Sequence, residues 1–383
     1  MAGILDGIRV FDLTIAAVGP WASKLLGEMG ADVIKIEAPE GELSHVIPPP
    51  IKGTAVLYIS ANFNKRHIVL DLKQEGDRAT ALKIIEKSDV FIQNMRPGAV
   101  ERLGLGYDVV SQVNPRIVYV ASSAYGRTGP MAKEAGIDPN LQALCGWCSI
   151  TGQPGGQGEM FRHLAHLDIS TSTMIVEAVL QALLARERTG KGQKIEIEML
   201  SAALSLQSTR LAEYFATNQQ PQPMGSAVPT TVPHQAFLCE DKKYIAVGVV
   251  SEDQWPRFCR AVKLEGLCDD PRFATNAKRV ENRAALIPLL EERFLTKPAA
   301  WWVIRLTKEA LPNSRIGDFE TLRYHPQVIQ NEQIVSIDTP HWGTLAVDGV
   351  PWKFDKTPAG PVRPGGLKGE HTEEVLRELG IIE

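Results

Sequence analysis

The sequence predicts a doubly wound parallel α/β domain followed by a smaller mixed one. Three observations carry this: strand-like and helix-like segments alternate through the first two hundred residues, Gly and Pro punctuate the turns between them, and composition shifts after residue 217. Residues 8–13 alternate apolar and polar positions as a strand does. Pro20 suits the first turn of a helix running through Leu25, Leu26 and Met29, which Gly30 ends. A strand at 31–36 completes strand, helix, strand, the unit of a parallel sheet. A strand at 67–72, a helix at 79–87, a strand at 90–93, a helix at 109–112 and a strand at 117–121 continue the alternation.

Residues 141–145 read as a packed helix, so the Cys145-Gly146-Trp147-Cys148 pair is read as small hydrophobes. A single CxxC lacks the further ligands zinc needs, and it does not follow a strand as a redox motif would. A long helix over 170–188 carries Met174, Ile175, Ala178, Val179 and Leu183 at helical spacing, then turns at Gly190-Lys191-Gly192 into a strand at 194–199. Residues 217–233, rich in Gln, Pro, Gly, Ser and Thr, form a linker or an active-site flap, and a domain boundary is placed there. A strand at 244–250 and helices at 254–262 and 281–294 build the smaller α+β domain. A β ribbon at 335–354 and a helix at 371–379 follow.

The chain has 383 residues, 44% hydrophobic and 22% charged, with a net charge of −4 and both signs mixed. That excludes a basic nucleic-acid face and a polybasic membrane anchor, and favours a small-molecule partner. No run of eighteen apolar residues and no charged leader followed by an apolar stretch occurs, so a cytoplasmic location is expected. Five cysteines make no disulfide framework and are expected to be reduced. Neither GxGxxG at the first turn nor GxxxxGK[ST] is present, which removes the usual dinucleotide fingerprint and the phosphate cradle of ATP-driven ligases.

One carboxylate stands out. Asp168 lies between Leu167 and Ile169 at the mouth of the long helix, where an acid is either a nucleophile held ionised by the helix dipole or a simple cap. His163 and His166 precede it, but two His three apart without Cys or an acidic cluster make a poor metal site, and no metal is expected.

A set of motifs runs in order from first strand to last helix: Leu5-Asp6-Gly7-Ile8-Arg9-Val10, Gly30-Ala31-Asp32-Val33-Ile34-Lys35-Ile36-Glu37, Asn64-Lys65-Arg66 with Leu70-Asp71-Leu72-Lys73, and Asn94-Met95-Arg96-Pro97-Gly98. Arg102-Leu103-Gly104, Asn114-Pro115-Arg116, Gly126-Arg127-Thr128-Gly129-Pro130, Thr189-Gly190-Lys191-Gly192-Gln193 and Gly369-Glu370-His371-Thr372 complete it. As a set they resemble the family III CoA-transferases, whose relatives include the α-methylacyl-CoA racemases. The resemblance implies a Rossmann-like large domain from residues 1–215 joined by a returning segment 326–383, a small domain at 225–325, and an interlocked dimer. Both a homodimer and a heteromer with a related, catalytically silent subunit occur in such proteins; retention of Asp168 marks this chain as the active kind.

The resemblance further implies that Asp168 is the nucleophile of a CoA transfer from an acyl-CoA donor to a carboxylic acid. Aspartyl anhydride and aspartyl-CoA thioester intermediates would form, with CoA thioesters as substrate and product and no permanently bound cofactor. A carboxylate can survive as both species. Gly225 is the candidate flap glycine supporting the oxyanion. Related racemases carry His within Ala-Gly-His-Asp, where this chain reads Ala135-Gly136-Ile137-Asp138; isoleucine transfers no proton, which counts against an acyl-CoA racemase or isomerase. A non-catalytic acyl-CoA-binding subunit is the other alternative.

Asp138 is read equally as an acid near the thioester and as a helix cap before Pro139. By motif position, CoA-binding candidates are Ala17, Val18, Leu70, Lys73, Asn94, Met95, Arg96, Arg102, Ile137 and Asp138. Ala38 replaces a basic residue of some relatives, and Pro312-Asn313-Ser314-Arg315-Ile316 departs from their Pro-x-Gly-Pro-Val turn. Arg162, His163 and His166 are candidates to hold a second carboxylate, with Trp147 and Trp21 lining a pocket, which points to a dicarboxylate or aromatic acid and to succinyl-CoA as a donor.

Overall fold

The computed structural model describes residues 3–161, 165–359 and 363–383, and two compact units emerge. The larger joins Met1–Trp147, Met160–Asn218 and Pro326–Glu383. Its centre is a six-stranded sheet of β1 (Arg9–Leu13), β2 (Asp32–Glu37), β3 (Lys65–Val69), β4 (Val90–Gln93), β5 (Val118–Ser123) and β6 (Gln193–Glu198). Every pairing is parallel and the spatial order is β3-β2-β1-β4-β5-β6. The chain therefore winds outward in both directions from β1 and β4, leaving a crevice at the carboxyl ends of those two strands.

Alternate residues of each central strand feed two cores, as a sheet covered on both faces requires. Val10, Val33, Val90, Ile92 and Val118 pack under α1 (Val18–Glu28), α2 (Asp138–Leu144) and α3 (His166–Thr189). Phe11, Ile34, Phe91 and Tyr119 face helices Glu75–Glu86 and Thr372–Glu378. By length and composition α3 is apolar enough to cross a membrane, but Leu167, Ile175, Val176 and Val179 belong to the sheet core.

The smaller unit comprises Cys148–Glu159 and Gln219–His325, so a segment that the sequence counts with the first stretch groups with the second. It contains an antiparallel sheet of His234–Leu238, Tyr244–Gly248 and Asn313–Arg315. Helices Gln254–Val262, Arg283–Phe294 and Ala299–Lys308 close over Phe237, Trp255, Phe258, Phe294 and Trp302.

Two element ends differ from expectation for reasons that bear on the site. The strand expected to run to residue 72 stops at Val69, because Asp71 folds the chain over: its side chain accepts from the Lys73 amide (3.1 Å) and its carbonyl from the Gln74 amide (2.8 Å). Residues 70–73 thereby become a loop at the crevice. The long helix begins at His166 rather than 170, since an acid from another element ligates its first amides.

Candidate active site

β1 leads into a turn, Thr14 to Ala17, whose conformation is imposed by side chains. The Thr14 amide donates to Asp12 Oδ1 (3.1 Å), the Ile15 amide to Asn94 Oδ1 (2.8 Å) and the Ala16 amide to Glu42 Oε2 (2.9 Å). The Asn94 amide group returns a bond to the Ile15 carbonyl (2.8 Å), and Lys35 Nζ donates to the Thr14 carbonyl. Ala16 sits at φ 63°, in the left-handed region that a residue with a Cβ adopts only under constraint. Beyond the turn, the Ala17, Val18 and Gly19 amides at the start of α1 meet no acceptor among the described residues, while Ala17 and Val18 are buried.

A row of charges lies beneath this turn. Asp12 and Lys35 are fully buried and Lys65 nearly so, and Lys65 Nζ stands 3.0 Å from Asp12 Oδ2. Although burial opposes ionisation, Lys65 and Lys35 hold the Asp12 carboxyl below the usual carboxylate range. Burial brings the Lys65 ammonium down to about 8 against the pull of Asp12. On β2, Glu37 accepts from the Tyr58 hydroxyl (2.6 Å) and lies 2.6 Å from His45 Nε2; these contacts and His67 drive its carboxyl far down despite burial.

The nucleophile candidate sits in a different setting. Asp168 is the third residue of α3, and neither its own side chain nor that of the N-cap residue Ala165 caps the helix. Asp138 does so from the first position of α2: its Oδ2 accepts from the amides of Leu167 (2.8 Å) and Asp168 (3.2 Å), and its Oδ1 from Gln142 Nε2. Gln142 also accepts from the Phe161 amide (3.1 Å), tying the approach to α3 into the same cluster. With its negative charge satisfied, Asp138 remains only 6% exposed.

The Asp168 carboxylate has no hydrogen bond or ion pair among the described residues. Burial first, and the Asp138 charge second, push it up to about 7. Two expectations are corrected. Asp168 is not the cap, because the cap is delivered in trans by Asp138, and Asp138 caps α3 rather than its own helix. Burial and the neighbouring Asp138 charge set the Asp168 carboxyl above the ordinary carboxylate range.

Ser172, one turn further along α3, joins the two regions. Its hydroxyl lies 2.6 Å from the Val18 carbonyl and 2.7 Å from the Asp168 carbonyl, so the start of α1 abuts the first turn of α3. Sequence reasoning passed over Ser172, Gln142 and Glu42. The i, i+4 spacing of Asp138 and Gln142 on one helix was the one available signal.

At the crevice a cavity of about 250 Å³ opens over the carboxyl ends of β1, β2, β3 and β4. Leu70, Lys73 and Met95, CoA-binding candidates by motif position, line it together with Glu42 and Leu103. Lys73, Arg96 and Arg102 are exposed and form no ion pair among the described residues. Asn94 bonds to Ile15 through both of its side-chain polar groups and so shapes the turn.

Ile137 is 63% exposed and lines no part of this cavity. His166 packs between Trp147 and Phe161, with ring centroids 5.5 and 5.0 Å away, and its Nδ1 is buried without a hydrogen-bond partner among the described residues. Arg162 and His163 fall outside the described residues. Gly225 belongs to the smaller unit, where its amide donates to the Gly152 carbonyl (2.7 Å). Cys145 is buried beside α2, in keeping with its reading as a small hydrophobe. Among the described residues no cluster of three His, Cys, Asp or Glu is placed to hold a metal.

Comparison with known proteins defines the class. The model of CoA-transferase family III matches residues 5–372. Succinyl-CoA:glutarate CoA-transferase of Homo sapiens is 32% identical over 377 residues, covering 98% of this chain and 86% of the relative. Acetyl-CoA:oxalate CoA-transferase of Acetobacter aceti is 31% identical over 377 residues, covering 98% of this chain and 95% of that one. Among solved structures, a CaiB/BaiF family protein from Brucella suis superposes with a TM-score of 0.89 at 30% identity, covering 99% of this chain and all of the other. This chain therefore belongs to CoA-transferase family III, and it is a CoA-transferase.

Proposed function

We propose that this CoA-transferase exchanges CoA between an acyl-CoA and a carboxylic acid through covalent intermediates on Asp168. The observation that carries the reading is the pairing of two neighbouring carboxylates with opposite fates: Asp138 ligated by two amides and Gln142, Asp168 unligated and raised to about 7. A carboxylate of that basicity is ionised in a large fraction near neutral pH. It is also a stronger nucleophile than an ordinary aspartate.

An Asp168 oxygen attacks the thioester carbonyl, the C–S bond breaks, and a mixed anhydride forms as CoA leaves as the thiolate. The thiolate attacks the aspartyl carbonyl, expelling the donor acid and leaving an aspartyl-CoA thioester. The acceptor carboxylate attacks that thioester, releasing the thiolate and forming a second anhydride. Finally the thiolate attacks the acceptor carbonyl, producing the new acyl-CoA and freeing the Asp168 carboxylate.

Each addition develops an oxyanion, and the unpaired amides of Ala17, Val18 and Gly19 supply donors beside α3. The nucleotide end of CoA enters the cavity at the crevice, with exposed Lys73, Arg96 and Arg102 available to its phosphates. Short dicarboxylic acids are the proposed partners in exchange. Relatives named for glutarate and oxalate support this, as does the His166 imidazole nitrogen, which lies between Trp147 and Phe161 and has no hydrogen-bond partner among the described residues. We further propose that the protein acts in the cytoplasm.

A screen of succinyl-, acetyl- and formyl-CoA against short mono- and dicarboxylic acids tests the reading. Parallel double-reciprocal lines, and inactivation by hydroxylamine only when acyl-CoA is present, are expected. Exchange that persists in Asp168→Asn contradicts it.

A further inference from the structure

We propose that Glu42 is a positioning residue, coupling the wall of the crevice cavity to the backbone turn that aims the α1 amides beside Asp168. The inference rests on the reading above for the role of those amides, and on geometry for the rest. Glu42 lies between β2 and the short helix Leu43–Val46, and with Gly41 and Leu43 it forms part of the cavity wall. Its carboxylate points inward, with the side chain 5% exposed.

Four groups hold that carboxylate. Oε2 accepts from the amides of Ala16 and Ser44, both at 2.9 Å, Oε1 accepts from the Ser44 hydroxyl, and Lys35 Nζ lies 3.8 Å from Oε1. Lys35 at the same time donates to the Thr14 carbonyl. Glu42 and its partner Lys35 thus grip the turn from two directions, at the residue whose backbone is left-handed. Ala16 gains nothing by itself from φ 63°; the Glu42 bond to its amide is the contact made directly to that residue among those that hold the turn.

The consequence runs along the chain. Ala16 directly precedes Ala17, and the orientation of the Ala17, Val18 and Gly19 amides follows from the turn that delivers them. A ligand seated against Gly41, Glu42 and Leu43 therefore presses on the same side chain that fixes the oxyanion donors. Donors displaced by a fraction of an ångström lose much of their effect on a developing charge, while ground-state binding in the cavity changes little.

Glu42→Gln is the decisive variant. It keeps shape and volume, yet an NH₂ must face either the two amides or the Ser44 hydroxyl and Lys35. With the best donor and acceptor pair, kcat is expected to fall about tenfold or more while KM for acyl-CoA stays within about twofold. Amide exchange of the 14–19 segment is expected to accelerate, with the rest of the chain at wild-type rates.

Unchanged kcat, or a rise in KM alone, overturns the proposal and leaves Glu42 a mere wall of the cavity. Should Glu42→Gln not fold, Ser44→Ala removes only the hydroxyl that steadies the carboxylate; it is expected to lower kcat about two- to fivefold with KM unchanged, and wild-type kcat again overturns it. The exchange measurement needs no turnover. Wild-type protein that never acylates Asp168 would sink the transferase mechanism, whereas wild-type exchange at 14–19 in Glu42→Gln would sink the role of Glu42.

Discussion

The carboxyl edge of the central sheet holds acids under two opposite regimes. Under the first turn, Asp12, Glu37 and Glu42 are buried and every one is ligated, by Lys65, Lys35, Ser23, Tyr58, His45 or backbone amides. Asp138 is ligated as well, by two amides and Gln142, whereas the Asp168 carboxylate has no hydrogen bond or ion pair among the described residues. Burial opposes ionisation of Asp12 and Glu37 as it does of Asp168, but charge and hydrogen bonding bring Asp12 and Glu37 below the usual carboxylate range, so they stay ionised. Where compensation is missing, at Asp168, burial and the Asp138 charge leave the carboxyl raised to about 7, and the proposed nucleophilic role rests on that difference.

The contrast can be broken from either side. The largest effect is expected at Asp168: Asp168→Asn should lower exchange by about 10,000-fold, measured as turnover with the best acid pair, since no neighbouring carboxylate replaces it. Next is Asp12→Asn, which leaves the Lys65 ammonium buried against a neutral amide. A loss of about 3–5 kcal/mol in denaturant unfolding is expected. A loss under about 1 kcal/mol would mean that the row of charges is not a structural unit.

Asp168→Asn should also stabilise the fold at alkaline pH. Its native carboxyl is pushed up to about 7 from the 3.8 of a free aspartate, so the native chain holds a proton that the unfolded chain releases between those values. Wild-type stability therefore declines as pH rises from about 4 to 7. The variant lacks that loss: the two proteins should match below pH 4 on this account, and above pH 7 the variant should be more stable by about 1–3 kcal/mol. The smallest effect is at Asp138. Asp138→Asn removes the charge that helps lift Asp168, so the acid limb of the kcat/KM profile should move below 7, with a stability cost of about 1 kcal/mol for the weakened cap.

The parallel sheet was legible in the sequence because its strands are short apolar runs between glycine and proline turns, and residues 90–93 and 254–262 match their elements end to end. Element ends were less legible where a side chain from afar decides them: α3 starts at His166 because Asp138 reaches its amides, and nothing near residue 166 announces that. Asp168 itself is singled out by an ordered set of motifs, while the local pattern points to a cap. The roles of Asn94 and Glu42 were hidden, since both act on backbone groups of the Ile15 and Ala16 turn rather than through any motif of their own.

The most direct test of the central claim is peptide mapping after the enzyme is incubated with acyl-CoA and the adduct is trapped. Cleavage at Arg162 and Arg186 releases residues 163–186, whose side-chain acids are Asp168 and Glu177. Coenzyme A in thioester linkage to Asp168, or the Asp168 side chain converted to its hydroxamate by hydroxylamine with release of CoA or the acid, is the predicted result. An active enzyme whose adduct sits on another residue, or that turns over without any adduct on this peptide, would contradict it.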